Sequence, residues 1–345
     1  MWNKAYHDNY FSVHDGLGET RHVFLAGNGL PQAWAERPEW LRFRIGELGF
    51  GTGLNFLATA ALFLDTAHAH QILEFVSIER DPLDNARIRT ALAPWRNQLG
   101  SCMEMVLAQL PPPLPGRHRL LIHPRIRLTL IYSDILEGLA GMTERMDAWM
   151  PDGFAPARNP EMWSEQVFRH MARLSHNRTT LATYTVAGPV RRGLAESGFA
   201  IRKMPGHARK KDMLAGHYAA AEAPAREDDA TPPANVLVIG GGVSGCAAAY
   251  ALAREGCRVD ICDPSARPGG GLKHFPASLI NPKLTRRSGF QRDWHQSAFN
   301  LFQTQAGFGL LHEHGERCGS LYLDTTPHRA DTHYQAQADM AWPAE

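Results

Sequence analysis

Leu41-Arg42-Phe43-Arg44-Ile45-Gly46-Glu47-Leu48-Gly49-Phe50-Gly51-Thr52-Gly53-Leu54-Asn55-Phe56 is the stretch on which the fold of this chain turns. An apolar strand, Leu41 to Ile45, feeds a glycine turn, Glu47 to Gly53, and an apolar helix, Leu54 to Phe63, leaves it. Glycine permits both the sharp turn and a close approach of backbone to a ligand. Further strands are expected at Phe75 to Ile78, Leu128 to Tyr132, Ala148 to Met150, Thr180 to Val186, Phe199 to Lys203 and Met213 to Ala219, with a helix from Glu161 to Leu174. Alternation of this kind implies a mostly parallel sheet covered on both faces. The fold class is α/β and Rossmann-like.

Ligands of such sheets bind beyond the carboxyl ends of the strands. Glu79, Asp134 and Asp152 all stand there, and Glu47 opens the turn itself. Glu79 is placed to accept hydrogen bonds from ribose hydroxyls, and Asp134 to contact a base. Gly49, Gly51 and Gly53 recur at every second residue, which is not the G-x-G-x-x-G spacing that seats a pyrophosphate. A cofactor without phosphate, such as S-adenosylmethionine, suits the turn better. The same residues also admit a plainer reading, in which the glycines serve only the turn and the acids are solvated or cap the adjoining turns.

A second turn, Gly240-Gly241-Gly242-Val243-Ser244-Gly245, follows the strand Val236 to Ile239 and opens a helix of small residues, Cys246 to Ala253. Here Gly240, Gly242 and Gly245 have the dinucleotide spacing. The next strand, Arg258 to Cys262, ends at Asp263, 18 residues after Gly245. That is close to the ~20 expected of a ribose-binding carboxylate. An acid at this position argues against a 2′-phosphate.

The length of 345 residues suggests two domains. The Ala/Pro-rich, acidic stretch from Ala221 to Pro233 reads as the linker between them. Net charge is +1, so the whole chain does not announce a nucleic-acid partner. Arg191, Arg192, Arg202, Lys203, Arg209, Lys210 and Lys211 nevertheless crowd one region against a single acid, Glu196. That patch either neutralises phosphates or is a solvated basic face. Five scattered cysteines without a Cys-x-x-Cys pair, a polar start lacking signal-peptide layout, and no membrane span together point to the cytoplasm. His312-Glu313-His314 and Cys318 lack a regular metal-ligand spacing, and no metal is expected.

Three separated blocks carry a family resemblance. Tyr10 to Arg21 with Val23-Phe24-Leu25 and Gly27-Asn28 is the first, and Glu47 to Ala58 is the second. The third is Asp152-Gly153-Phe154-Ala155-Pro156-Ala157-Arg158-Asn159-Pro160-Glu161-Met162-Trp163. Arg191 to Leu194, Gly198-Phe199 and Gly206 to Leu214 extend the likeness to about residue 218. Together they resemble the MnmC family, the bifunctional tRNA 5-methylaminomethyl-2-thiouridine biosynthesis proteins.

The resemblance implies a methyltransferase half that uses S-adenosylmethionine to methylate the aminomethyl nitrogen of a wobble uridine in tRNA. Glu47, Gly49, Gly51, Gly53, Asn55, Glu79 and Asp134 would then hold the cofactor. Asp152 would bind or deprotonate the amine, Phe154 and Trp163 would either stack on the base or pack in the core, and Arg191, Arg192, Arg209, Lys210 and Lys211 would meet the tRNA. Two departures are Pro151, immediately before Asp152, and His176-Asn177-Arg178-Thr179 before the next strand.

The second turn resembles the flavin-adenine-dinucleotide turn of the family's oxidative half, which delivers the amine. The expected layout is a methyltransferase domain at 1–220, a linker at 221–234 and a partial FAD/NAD(P)-binding Rossmann βαβ module at 235–345. Only about 110 residues follow the strand at Val236, against roughly 100 or more for each of the two domains such an oxidase needs. The expectation is therefore that this half holds at most part of FAD, and that a separate protein supplies the oxidase step. The alternative is a small-molecule amine methyltransferase fused to a non-catalytic flavin-domain remnant.

Overall fold

The structure, a computed structural model, describes residues 2–3, 6–10, 15–38, 41–208, 210–226 and 234–272, with positions 295, 297–299, 331 and 334–336 beyond them. The chain divides into two compact units, residues 1–227 with 282–345, and residues 228–281.

The larger unit is built on an eight-stranded sheet. In chain order its strands are β1 (Arg42–Leu48), β2 (Ile72–Glu79), β3 (Gly116–His123), β4 (Ile126–Tyr132), β5 (Met146–Pro151), β6 (Ser175–Thr183), β7 (Phe199–Pro205) and β8 (Asp212–Tyr218). Their spatial order is β3-β4-β2-β1-β5-β6-β8-β7. The five central strands, β4-β2-β1-β5-β6, pair in parallel. The β3–β4, β6–β8 and β7–β8 pairs are antiparallel. The parallel centre agrees with the strand–helix alternation, whereas the two flanks come from hairpins.

Side chains alternate across the pleat. Phe43 and Ile45 of β1, Leu73 and Phe75 of β2, and Ala148 and Met150 of β5 join one core. They pack there with Phe56, Leu57 and Phe63 of helix α1 (Leu54–Thr66) and with Leu99, Met103 and Val106 of a later helical stretch, Arg96–Gln109. Leu48, Val76, Ile78 and Trp149 face the other way, against Val167, Phe168 and Met171 of α2 (Glu165–Arg173) and Val190 and Leu194 of α3 (Gly188–Glu196). Trp149 is fully buried and lies on Gly46 of the neighbouring strand, where an added Cβ would come within 2.3 Å of the indole. Truncating such a ring costs about 3–5 kcal/mol.

β1 runs on through Glu47 to Leu48, so Glu47 belongs to the strand rather than opening the turn, and two further boundaries differ from expectation for local reasons. The helix expected over 161–174 is broken at Ser164, whose extended backbone caps α2 and separates it from a 3₁₀ turn at Pro160–Trp163. The strand expected to start at Thr180 begins at Ser175, and His176-Asn177-Arg178-Thr179 is absorbed as an irregularity against β5. Inside it the His176 backbone N–H donates to Thr179 Oγ1, which in turn donates to Met146 O.

Asp147, at the start of β5, is buried and accepts from His176 Nε2, from Arg226 Nε at 2.7 Å and from the Arg44 backbone N–H. The Arg178 backbone N–H donates to His176 Nδ1, so the ring proton sits on Nε2. Hydrogen bonds from His176 and Arg226 outweigh burial and hold the Asp147 carboxyl below its ordinary value. The first residues of the expected linker are thereby tied to the sheet, and the Asn177 N–H bond to Pro224 O adds a second tie.

The smaller unit consists of β9 (Asn235–Ile239), α4 (Val243–Arg254) and β10 (Arg258–Cys262), with the two strands parallel and Val236 opposite Val259. This is the βαβ unit read from the second glycine turn.

Candidate active site

At the carboxyl end of β1 the chain turns through three glycines with positive φ, +94° at Gly49, +52° at Gly51 and +77° at Gly53. Non-glycine residues populate that region sparsely, which explains the alternate-residue glycine pattern. Gly49 also passes so close to the next strand's end that a Cβ there would meet Asp152 O at 2.6 Å. Beside the turn opens a cavity of about 330 Å³, lined by Gly49, Gly51, Glu79, Asp134 and Asp152 among others. The glycine turn, the ends of β2, β4 and β5, Phe154 and Lys210 therefore converge on one space.

Asp152 is half-buried there. Burial pushes its carboxyl up to about 7, with the Asn55 hydrogen bond and the Lys210 charge pulling the other way. Asn55, in the first turn of α1, divides its amide nitrogen between Asp152 Oδ2 at 2.7 Å and Glu47 Oε1 at 3.0 Å. Its carbonyl accepts from Thr20 Oγ1 at 2.8 Å. Thr20 begins a π-helix, Thr20–Ala26, a departure from α geometry that recurs at functional sites.

Glu47 lies under the turn, 1% exposed, and takes a second hydrogen bond from Ser77 Oγ at 2.6 Å. Burial is the main reason its carboxyl stands well above the usual range, and the neighbouring Asp152 charge adds to it. Glu79 accepts the Gly51 N–H at 2.9 Å and the Asp81 N–H at 2.8 Å, and burial raises it as well. Asp134 caps a short helix through the Leu136 N–H while also lining the cavity. Phe154 stacks on Tyr6 with ring centroids 4.4 Å apart.

Other expected site residues lie elsewhere. Trp163 is 7% exposed and does not line the cavity; its indole N–H donates to Phe154 O at 2.9 Å, which braces the loop from behind. Arg191 and Arg192 are exposed on α3, away from the cavity wall. Lys211 is exposed in the β7–β8 turn. Lys210 points into the cavity instead, and Arg209 lies outside the described residues. Thr20, Ser77, Glu19 and Tyr184 also belong to this network or its cavity, and the sequence alone does not mark them as site residues. A lone serine inside the apolar β2 was the available signal for Ser77.

The cavity wall is acidic. Asp8, Glu19, Glu79, Asp81, Asp134, Asp152 and Glu161 face only Arg80 and Lys210 among side-chain cations of the described lining residues. Such a wall repels a pyrophosphate and favours a cationic ligand. A Cβ at Gly51 would project to 3.0 Å from the Tyr10 ring, so the bare turn leaves a cradle that a side chain would fill. These residues fit a sulfonium cofactor such as S-adenosylmethionine.

In the smaller unit the Gly241 N–H donates to Asp263 Oδ2 and the Ser265 N–H to Oδ1, both at 2.7 Å. The Gly241 bond is the larger cause of a lowered Asp263 carboxyl. Gly245 packs onto Gly240, whose carbonyl oxygen a Cβ would meet at 1.8 Å. Gly242 has open space around it. The turn and its acid fit the adenosine end of a dinucleotide. His312, Glu313, His314 and Cys318 lie outside the described residues, and among those described no cluster of three or more ligands suits a metal ion. No described helix is long and apolar enough to cross a membrane.

A family profile described as S-adenosyl-L-methionine-dependent methyltransferase matches residues 97–219, and one described as FAD dependent oxidoreductase matches residues 235–344. The "tRNA 5-methylaminomethyl-2-thiouridine biosynthesis bifunctional protein MnmC" of Pseudomonas aeruginosa (strain UCBPP-PA14) is 47% identical over 359 residues, covering 99% of this chain and 53% of that protein. The protein of the same name from Thiobacillus denitrificans is 38% identical, covering 100% of this chain and 55% of its own length. The chain thus spans about half the length of the curated relatives it matches. A solved structure described as MNMC2 from Aquifex aeolicus is 19% identical with a TM-score of 0.49, covering 66% of this chain and 68% of that one.

Proposed function

The chain belongs to the MnmC family, and from that membership we propose that it methylates the amine of 5-aminomethyl-2-thiouridine at the wobble position of tRNA. The observation that carries this reading is the half-buried carboxyl of Asp152, held by Asn55 beside a glycine turn in an acidic cavity. Residues 1–220 form the methyltransferase domain in this reading. Gly49, Gly51, Gly53, Glu79 and Asp134 hold S-adenosylmethionine, with Glu47 and Asn55 supporting the turn from beneath. When bound, that cofactor supplies an electrophilic methyl group on a sulfonium.

The amine reaches the site as an ammonium. With a lysine-like pKa of about 10.4, only about one part in 10³ is free amine at pH 7. A carboxyl at the ordinary value of 3.8 would leave the proton transfer uphill by about 9 kcal/mol; at about 7 the gap is about 5 kcal/mol. Desolvation of the ammonium in the cavity reduces it further. Asn55 occupies Asp152 Oδ2, so Oδ1 is the atom assigned to take the proton. Phe154 offers a ring face to the base. Arg191, Arg192, Arg209 and Lys211 meet phosphates in the cytoplasm, where tRNA is found.

The smaller unit, as the start of a domain at 235–345 that follows a linker at 221–234, binds FAD through Gly240, Gly242, Gly245 and Asp263 in this reading. The oxidative step that delivers the amine belongs either to this flavin-binding half or to a separate protein.

The test is nucleoside mass analysis of tRNA incubated with the purified chain and S-adenosylmethionine. A gain of one methyl group in the mass of the wobble nucleoside is expected for aminomethyl-bearing tRNA. Absence of methylated nucleoside, or salt-independent turnover of a free small amine in its place, overturns the reading. Carboxymethylaminomethyl-bearing tRNA given to the same chain separates the two sources of the amine.

A further inference from the structure

The acidic cavity holds a cation of the chain's own. The Lys210 ammonium lies 2.7 Å from Glu19 Oε1 and 4.0 Å from the centroid of the Tyr184 ring. All three line the same cavity as Asp152. Their exposures differ: the Lys210 side chain is 46% exposed and that of Glu19 only 11%.

The carboxylate and the ring are the fixed parts. Glu19 closes the helical turn Gly16–Glu19, and its backbone N–H donates to Asp15 O. The Tyr184 hydroxyl donates to Gly153 O at 2.6 Å, and its ring meets Trp163 edge-on. Burial pushes that hydroxyl far above its ordinary range, so it stays a neutral donor. Lys210 arrives from the turn between β7 and β8, on a flexible four-carbon stem.

An aromatic face beside a nearly buried carboxylate is the chemistry that captures an alkylammonium. A half-exposed lysine is a replaceable occupant of such a place, because an exposed ion pair is worth little. A substrate ammonium brought in with its own nucleoside is held by more than its charge. A polyanion arriving with it offers Lys210 another partner.

We propose that Glu19 and the face of Tyr184 form the seat for the substrate's primary alkylammonium, and that Lys210 occupies this seat until substrate displaces it. The proposal rests on the amine-methylating reading above. It places the incoming ammonium beside Asp152, on the same cavity wall, before any proton moves.

The test compares the affinity of the full chain for two tRNAs that differ only in carrying or lacking the wobble aminomethyl group. The ratio of affinities isolates the amine, because general loss of phosphate contacts cancels. Lys210→Met is expected to raise the preference for the amine-bearing tRNA about fivefold, by removing the internal competitor. Glu19→Gln is expected to lower that preference about tenfold. Tyr184→Phe, which keeps the aromatic face, is expected to retain it. An unchanged preference in Glu19→Gln, an unchanged or lowered one in Lys210→Met, or no preference in the wild-type chain overturns the seat. Methyl transfer by the wild-type chain is scored separately. Its absence sinks the functional reading, whereas its presence alongside any of those results sinks only the seat.

Discussion

Asn55 holds Asp152 and Glu47 with one amide nitrogen, at 2.7 Å and 3.0 Å. Two carboxyls that would otherwise repel are bridged by a neutral donor whose own carbonyl is fixed by Thr20. Because the hydrogen bond favours the charged form of Asp152, its loss raises that carboxyl further. Asn55→Ala is therefore expected to move the midpoint of the pH–rate profile for methyl transfer above 7, with activity recovering in more alkaline buffer. It should also cost about 1–3 kcal/mol of stability through unpaired buried groups, read by denaturant unfolding.

Asp152→Asn is expected to keep cofactor binding in calorimetry and lose methyl transfer. Its stability effect has a definite sign. Burial raises Asp152 from 3.8 to about 7, so between those values the native state holds a proton that the unfolded chain has lost. Native stability from this group falls as pH rises through that window. The variant should match the wild type below pH 4 and exceed it by about 1–2 kcal/mol at pH 8, a figure reduced for the carboxyl's access to cavity water.

Gly51→Val places a β-branched residue at φ +52° and pushes its side chain toward Tyr10. Loss of measurable S-adenosylmethionine binding is expected, and titration calorimetry checks it. Wild-type affinity in this variant would show that the turn does not hold the cofactor.

Arg226 and Asp147 form a buried pair, with side chains 7% and 2% exposed. Arg226→Ala leaves the Asp147 charge with fewer partners and should cost about 3–5 kcal/mol. Asp147 lies below its ordinary value in the folded chain, so its contribution is present above pH ~4 and lost as pH falls through the folded value. Thermal melts across pH test both parts.

Arg191 and Arg192 are exposed on α3. If both meet phosphates, the double change to alanine lowers the slope of log affinity for tRNA against log salt by about 1–2. An unchanged slope removes them from the tRNA-binding surface.

Much of this architecture was legible because it is written in local signals. Glycines at 49, 51 and 53 announce a turn, and the apolar runs at β1, β2, β4 and β5 announce strands. The antiparallel edge strand β3 is not legible in the sequence because Gly116 to His123 mixes arginines and histidines with leucines, as an edge strand can. In the sequence Trp163 is open between stacking on a base and packing in the core, since an indole reads the same in both, and in the structure it packs in the core and braces the loop.

Local periodicity and glycine spacing were thus enough for two strand–turn–helix units, their order and the acids at the strand ends, because each depends on neighbours a few residues away. The network around Asp152 depends on residues 97 and 132 positions apart from it, Asn55 and Thr20, brought together by the sheet. Pairing β1 with β5 sets the Asn55 amide between two carboxyls, and the β7–β8 hairpin turns Lys210 inward while Arg191 and Arg192 stay outside. Partner, burial and direction are properties of packing, and the raised carboxyl at Asp152 exists only once packing has taken it partly out of water.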